Sequence, residues 1–242
     1  MTSARLISPG TLGALIAARC VPGEVTIVGL TGSVAAGKST LAAALAEVLA
    51  GTLSVDIVST DGFLFPDAEL EARGLSLRKG FPESYDVASL AGTLEAARVR
   101  AVSIPGYSHS LYDIDPALTR LVDRPDLLIV EGLGFAPAGR DSRVSEALDS
   151  LIYLDANEDD LEHWFLDRFM ALWRAAATDP ASYYARFQSM SEAEARGFAR
   201  TMVWRGINLP NLHDNIVRAR PLADILVSKA RDHSLRLVRP EL

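Results

Sequence analysis

A doubly wound α/β fold, with a mainly parallel sheet flanked by helices, is the architecture this sequence predicts. Three observations carry it. Five short apolar runs read as buried strands: 25–30 (VTIVGL), 53–59 (LSVDIVS), 126–132 (DLLIVEG), 150–156 (SLIYLDA) and 223–229 (ADILVSK). Helix-periodic segments lie between them, as parallel strands covered on both faces require. The first run feeds directly into a glycine-rich turn, GSVAAGKST (32–40), that opens a helix.

The elements follow in order. TLGALIAARC (11–20) reads as a short amphipathic helix packed on the domain; it is too short to span a bilayer, and Arg19 interrupts a signal-peptide reading. After Thr40, Leu41, Leu45, Val48 and Leu49 recur at helical spacing. A minor strand is expected at 101–105. Residues 159–177 form the strongest amphipathic helix, with Asn157 as its N-cap, and a third helix covers 191–207. The stretches 61–86 and 105–125 look irregular, which in a compact domain points to functional or mobile loops. The whole, 1–242, reads as one domain of the P-loop NTPase type, with 1–23 as an N-terminal helical segment and 61–125 holding substrate and lid loops.

Of the 242 residues, 49% are apolar, enough for a sizeable core. The net charge is −7 and there is no Lys/Arg block, which argues against a nucleic-acid or membrane-surface partner. An anionic substrate therefore needs a local cluster of donors. Cys20 is the single cysteine, so no internal disulfide forms; a reducing, cytoplasmic setting is expected, and Cys20 reads as a small semi-buried thiol.

The loop Gly32, Ser33, Val34, Ala35, Ala36, Gly37, Lys38, Ser39, Thr40 fits the pattern G-x-x-x-x-G-K-[ST]. Its glycines let backbone N–H groups curl around phosphates, and the helix start adds partial positive charge. Lys38 would reach the β- and γ-phosphates, Ser39 would ligate Mg²⁺, and Thr40 would bond a further phosphate oxygen. Glu131 ends a buried strand, where an acid suits a Mg²⁺–water contact or stays a solvated carboxylate. Asp61 ends the second strand on the same rim. On local features it reads equally as an Asp-Gly turn residue or as the base for a hydroxyl proton.

Longer motifs go further. TDGFLFPDAELEARGLSLRKGFPESYD (60–86), PGYSHSLYDI (105–114), PDLLIVEGL (125–133), RFMALWRAAATDPASYY (168–184) and INLPNLHDNI (207–216) resemble the bacterial type I pantothenate kinases, in order and at near-family spacing. The resemblance implies ATP- and Mg²⁺-dependent phosphorylation of pantothenate, the first step of coenzyme A synthesis, in a homodimer. It implies Asp61 as catalytic base, Lys38, Ser39 and Thr40 on the nucleotide, and Arg168 between substrate and γ-phosphate. It places Tyr107, His109, Tyr112 and Asn208 in the substrate pocket, Phe169 on its wall and His233 near the adenine. Tyr, His, Asn and Arg supply the convergent donors a carboxylate substrate needs in an acidic protein.

The sequence departs from that family in three places. Ala43 stands where the family carries an arginine that helps bind the inhibitor coenzyme A, which implies weak inhibition. Phe165 replaces a substrate-contacting tyrosine, one hydrogen bond fewer, about 0.5–1.5 kcal/mol. Only 31 residues precede Gly32, so nucleotide or interface contacts from that region are expected to be missing. Two alternatives stay open: a kinase for another small alcohol, such as a sugar or nucleoside, and a regulatory protein that binds nucleotide without transfer.

Overall fold

The computed structural model describes residues 5–135 and 143–240. Strand β1 (Arg5–Ile7) leads into α1 (Pro9–Ala17), whose N-cap Ser8 accepts from the Thr11 amide. β2 (Thr26–Gly32) runs through the phosphate loop into α2 (Lys38–Leu49), and β3 (Val55–Ser59) follows. α1 buries Leu12 and Ile16, and a Cβ added at Gly13 would meet Val48 at 3.1 Å, so α1 and α2 pack closely.

The stretch expected to be irregular after β3 holds short elements. A 3₁₀ turn (Thr60–Phe63), α3 (Asp67–Ala72) and two further 3₁₀ turns precede α4 (Val87–Ala97). α4 lies outside the predicted helices. Asp86 caps it and Leu90, Leu94 and Ala97 face the core, but Gly92 and Thr93 weaken its central propensity. β4 (Val102–Ile104) confirms the minor strand, yet it pairs with β7 (Arg120–Val122) in a separate two-stranded sheet. Between them β5 (Tyr107–Ser108) and β6 (Asp113–Ile114) form a small hairpin.

β8 (Leu127–Glu131) returns to the main sheet, followed by the short α5 (Arg143–Glu146), β9 (Ser150–Ala156) and α6 (Glu158–Ala175). Asn157 stands at the N-cap of α6, but its side chain makes no capping bond, a correction to its expected role; three acids in the first turn favour that end instead. α7 (Glu192–Phe198), closed by a Ser191–Glu194 capping box, does not run as a uniform helix to 207. From Ala199 to Asn208 it widens into a π-helix, then continues as α8 (Leu209–Asp214). Buried Trp204 sits in the wide segment, and Pro210 has no N–H to give to an α-helical ladder. β10 (Ile225–Lys229) and β11 (Leu235–Pro240) complete the described chain.

The main sheet has the order β1-β11-β10-β9-β2-β8-β3. The five predicted strands are its parallel centre, and β2 and β8 are buried along their whole length. The antiparallel β1–β11 edge escapes prediction: β1 has three residues, and in β11 Arg236 and Arg239 interrupt the apolar run of Leu235, Leu237 and Val238. Parallel pairing fixes where function gathers. It brings the carboxyl ends of β2, β3, β8, β9 and β10 to one rim, so the loops that leave them face a common crevice.

Candidate active site

The phosphate loop leaves the centre of that rim. Gly32, Ala35 and Gly37 adopt positive φ of 144°, 64° and 94°, which curls the chain. Gly37 occupies the N-cap of α2 with no side-chain cap, so the first-turn amides remain available to an anion. Lys38 spans the loop, its ammonium donating to the carbonyls of Gly32 at 3.2 Å and Ser33 at 3.0 Å. Burial lowers its pKa, and the nearby carboxylates of Glu131 and Asp61 oppose that shift.

Two acids flank the loop. Ser39 donates its hydroxyl to Glu131 at 2.9 Å. Burial raises the Glu131 pKa, against the opposing charge of Lys38. Asp61 lies in the 3₁₀ turn after β3, and that turn is pinned on both sides. Its amide donates to Ser59 Oγ at 3.3 Å, while Thr60 Oγ1 accepts from the Leu133 amide just past β8 at 3.0 Å. Tyr85, buried, donates its phenol to Asp61 Oδ1 at 3.3 Å. Burial, then the Asp61 charge, pushes the Tyr85 pKa well up, so the phenol stays a donor. A cleft of about 360 Å³ opens here, with Ser39, Asp61, Glu131, Tyr107, His109 and Arg120 among its walls.

Arg168 approaches from α6. Its positive charge lowers the pKa of both Lys38 and His109, and the Asp61 carboxylate raises both. Acid and guanidinium, 107 positions apart in the chain by their numbers, thus share the same two neighbours. Burial, then Arg168, holds His109 below the ordinary histidine value, which leaves its ring neutral at pH 7.

The β5–β6 hairpin presents Tyr107 and His109 edge to face at 5.3 Å, with Tyr112 at 6.3 Å from Tyr107. Lys79 organises them. Its ammonium pairs with Asp67, donates to the Tyr112 carbonyl, and lies 5.1 and 4.5 Å from the Tyr107 and Tyr112 ring centres. Tyr112 itself has φ of 60°. Burial raises the pKa of both tyrosines far enough to keep them protonated.

Other expected residues lie further off. Phe169 is buried among Tyr184 (5.4 Å), Phe187 (6.0 Å) and Phe165 (6.2 Å) and is not part of the cleft wall. Phe165 also packs on Trp204 at 5.6 Å, an apolar setting that a phenylalanine suits. Asn208 ends the π-helix and is likewise absent from the cleft wall; three residues on, in α8, Asn211 donates to the Gly80 carbonyl at 2.8 Å. Ala43 is exposed on α2. His233, at φ 65° in the β10–β11 turn, stacks on Trp164 at 5.2 Å.

Tyr85, Lys79, Trp164 and Lys229 carry contacts to which the sequence reading assigned no role. Tyr85 and Lys79 lie in the 60–86 motif, but their contacts depend on neighbours distant in sequence. Among the described residues no group of three or more His, Cys, Asp or Glu gathers to hold a metal. Ser39 and Glu131 offer two hard oxygens beside a phosphate site, the donor set by which Mg²⁺ is held jointly with substrate phosphates.

Comparison with known proteins agrees with this geometry. The profile of the phosphoribulokinase/uridine kinase family matches residues 27–171. A protein of Rhizobium rhizogenes strain K84 named pantothenate kinase is 43% identical over 224 residues, 88% of this chain and 67% of the relative. A protein of the same name from Leifsonia xyli subsp. xyli is 46% identical over 220 residues, 88% and 68% of the two chains. Among solved structures, a kinase from Silicibacter sp. TM1040, provisionally assigned to fructose transport, superposes with a TM-score of 0.68 at 25% identity over 90% of this chain and 95% of that one. Phosphoribulokinase from Rhodobacter spheroides gives 0.53 at 16% identity over 85% and 70%, a likeness of fold.

Proposed function

This chain belongs to the phosphoribulokinase/uridine kinase family and, within it, to the pantothenate kinases, and from that membership we propose that it transfers the γ-phosphoryl group of ATP to the primary alcohol of pantothenate. One observation supports the chemistry above the rest: Asp61 and Arg168 bear with opposite charge on Lys38 in the phosphate loop and on His109 in the cleft wall.

Each side chain then has a task. The curled loop amides and Lys38 bind the polyphosphate. Asp61, oriented by the Tyr85 phenol, accepts the hydroxyl proton as the alcohol oxygen attacks in line and the bond to ADP breaks. Arg168 faces the negative charge that spreads over the transferring oxygens. Neutral His109 and the protonated Tyr107 and Tyr112 orient the acceptor, with Asn208 bonding it from the π-helix. Ser39 and Glu131 would hold Mg²⁺, which neutralises phosphate charge when bound. His233 packs beside the adenine. Phe169 would contribute from behind the aromatic cluster. A cytoplasmic location accords with the single cysteine, and no described helix is long and apolar enough to cross a membrane. A homodimer rests on the family resemblance.

An acceptor panel with an ATP-consumption readout tests this. Pantothenate is expected to outpace sugars and nucleosides; equal turnover of a sugar would remove the acceptor assignment. Asp61→Asn is expected to lower kcat by about 10²–10⁴-fold with ATP affinity kept. Near-normal turnover of that variant would take Asp61 out of the mechanism.

A further inference from the structure

Lys229 ends β10 and is not part of the catalytic cleft wall. It reaches across the rim to the phosphate loop, where its ammonium donates to the Ala36 carbonyl at 2.8 Å. The ammonium also lies 4.3 Å from the centre of the Trp164 ring, and that ring stacks on His233 at an interplanar angle of 24°. Trp164 comes four residues before Arg168 on α6, so one helix face serves both.

The contact has a consequence for the next amide. A trans peptide unit is planar, so its C=O and N–H point in opposite directions. No described peptide bond is cis. A cation that draws the Ala36 carbonyl outward therefore aims the Gly37 N–H into the loop. Gly37 is held at φ 94°, and a Cβ there would come within 2.7 Å of Lys229 Nζ. The positive φ demands glycine, and a side chain there would displace the lysine ammonium. Resting on the ATP-dependent function above, we propose that Lys229 is a positioning residue for the phosphate loop, directing the Gly37 amide at the nucleotide's polyphosphate while Trp164 holds the lysine in place. Lys229 acts through the loop backbone and recognises no part of the base.

The test needs no acceptor. Dissociation constants of Mg²⁺·ATP and of inorganic tripolyphosphate are measured by calorimetry on the full chain. Lys229→Met keeps the stem and loses the donor. It is expected to weaken both ligands alike, by about tenfold, and Lys229→Arg is expected to recover most of the loss. Unchanged tripolyphosphate affinity in Lys229→Met, with or without weaker ATP binding, overturns the proposal. Should the methionine variant not fold, a spectroscopic signature decides. Tripolyphosphate alone is expected to shift tryptophan emission in the wild type and not in Trp164→Phe, and no wild-type shift overturns the proposal equally. A wild type that binds ATP but leaves pantothenate untouched would refute the acceptor assignment and leave Lys229 fully tested.

Discussion

Glu131 is a buried carboxylate whose nearest partner is a hydroxyl, and burial raises its pKa. A raised folded-state value means that protonated Glu131 favours the folded chain, so its contribution is present below the ordinary glutamate value and is lost as pH rises through the raised one. Mg²⁺ needs the carboxylate, so its binding runs the other way. Thermal unfolding against pH is expected to show Glu131→Gln at least as stable as the wild type at neutral pH without Mg²⁺·ATP. The gain in midpoint on adding Mg²⁺·ATP is expected to grow with pH in the wild type and, in the variant, to be smaller and to lose that growth. Of the site residues, the places of the phosphate loop, Glu131 and Asp61 are legible because each lies at the end of a buried strand, while the task of Asp61 is read from the family resemblance. Lys229 and Tyr85 are not: a lysine at the end of VSK and a tyrosine in ESYD acquire meaning only when folding sets them on Ala36 and Asp61.

Among elements, the segment from Ala199 to Asn208 shows what periodicity misses. A reading at 3.6 residues per turn finds a helix there and cannot see that the ladder widens to i+5. The wide segment seats Trp204, 1% exposed, against Phe165 on α6. Trp204→Ala is expected to cost about 3–5 kcal/mol of stability by chemical denaturation. Its effect on pantothenate KM is expected to exceed that on ATP KM, because Asn208 closes the same segment. The parallel strands were legible for the opposite reason. Buried on both faces, β2 and β8 read as unbroken apolar runs, and no tertiary knowledge is needed to find them. α4 failed that standard through Gly92 and Thr93, and β1 through its length.

At the scale of the whole molecule, one hydrophobic cluster reaches from Ile7 on β1 at one edge of the sheet to Val58 on β3 at the other. We propose that the chain is a single domain. Far-UV circular dichroism and tryptophan fluorescence are then expected to report one coincident unfolding transition, raised in midpoint by Mg²⁺·ATP. Two separated transitions would divide it.

The pairing of β1 with β11 joins the earliest described residues to the latest, Arg5 opposite Leu237. A growing polypeptide carries its phosphate loop long before it carries β10, β11 and the turn between them. Lys229 follows Ala36 by 193 positions, so the loop exists as chain long before the ammonium that contacts its carbonyl, and that contact waits until β10 has paired beside β9.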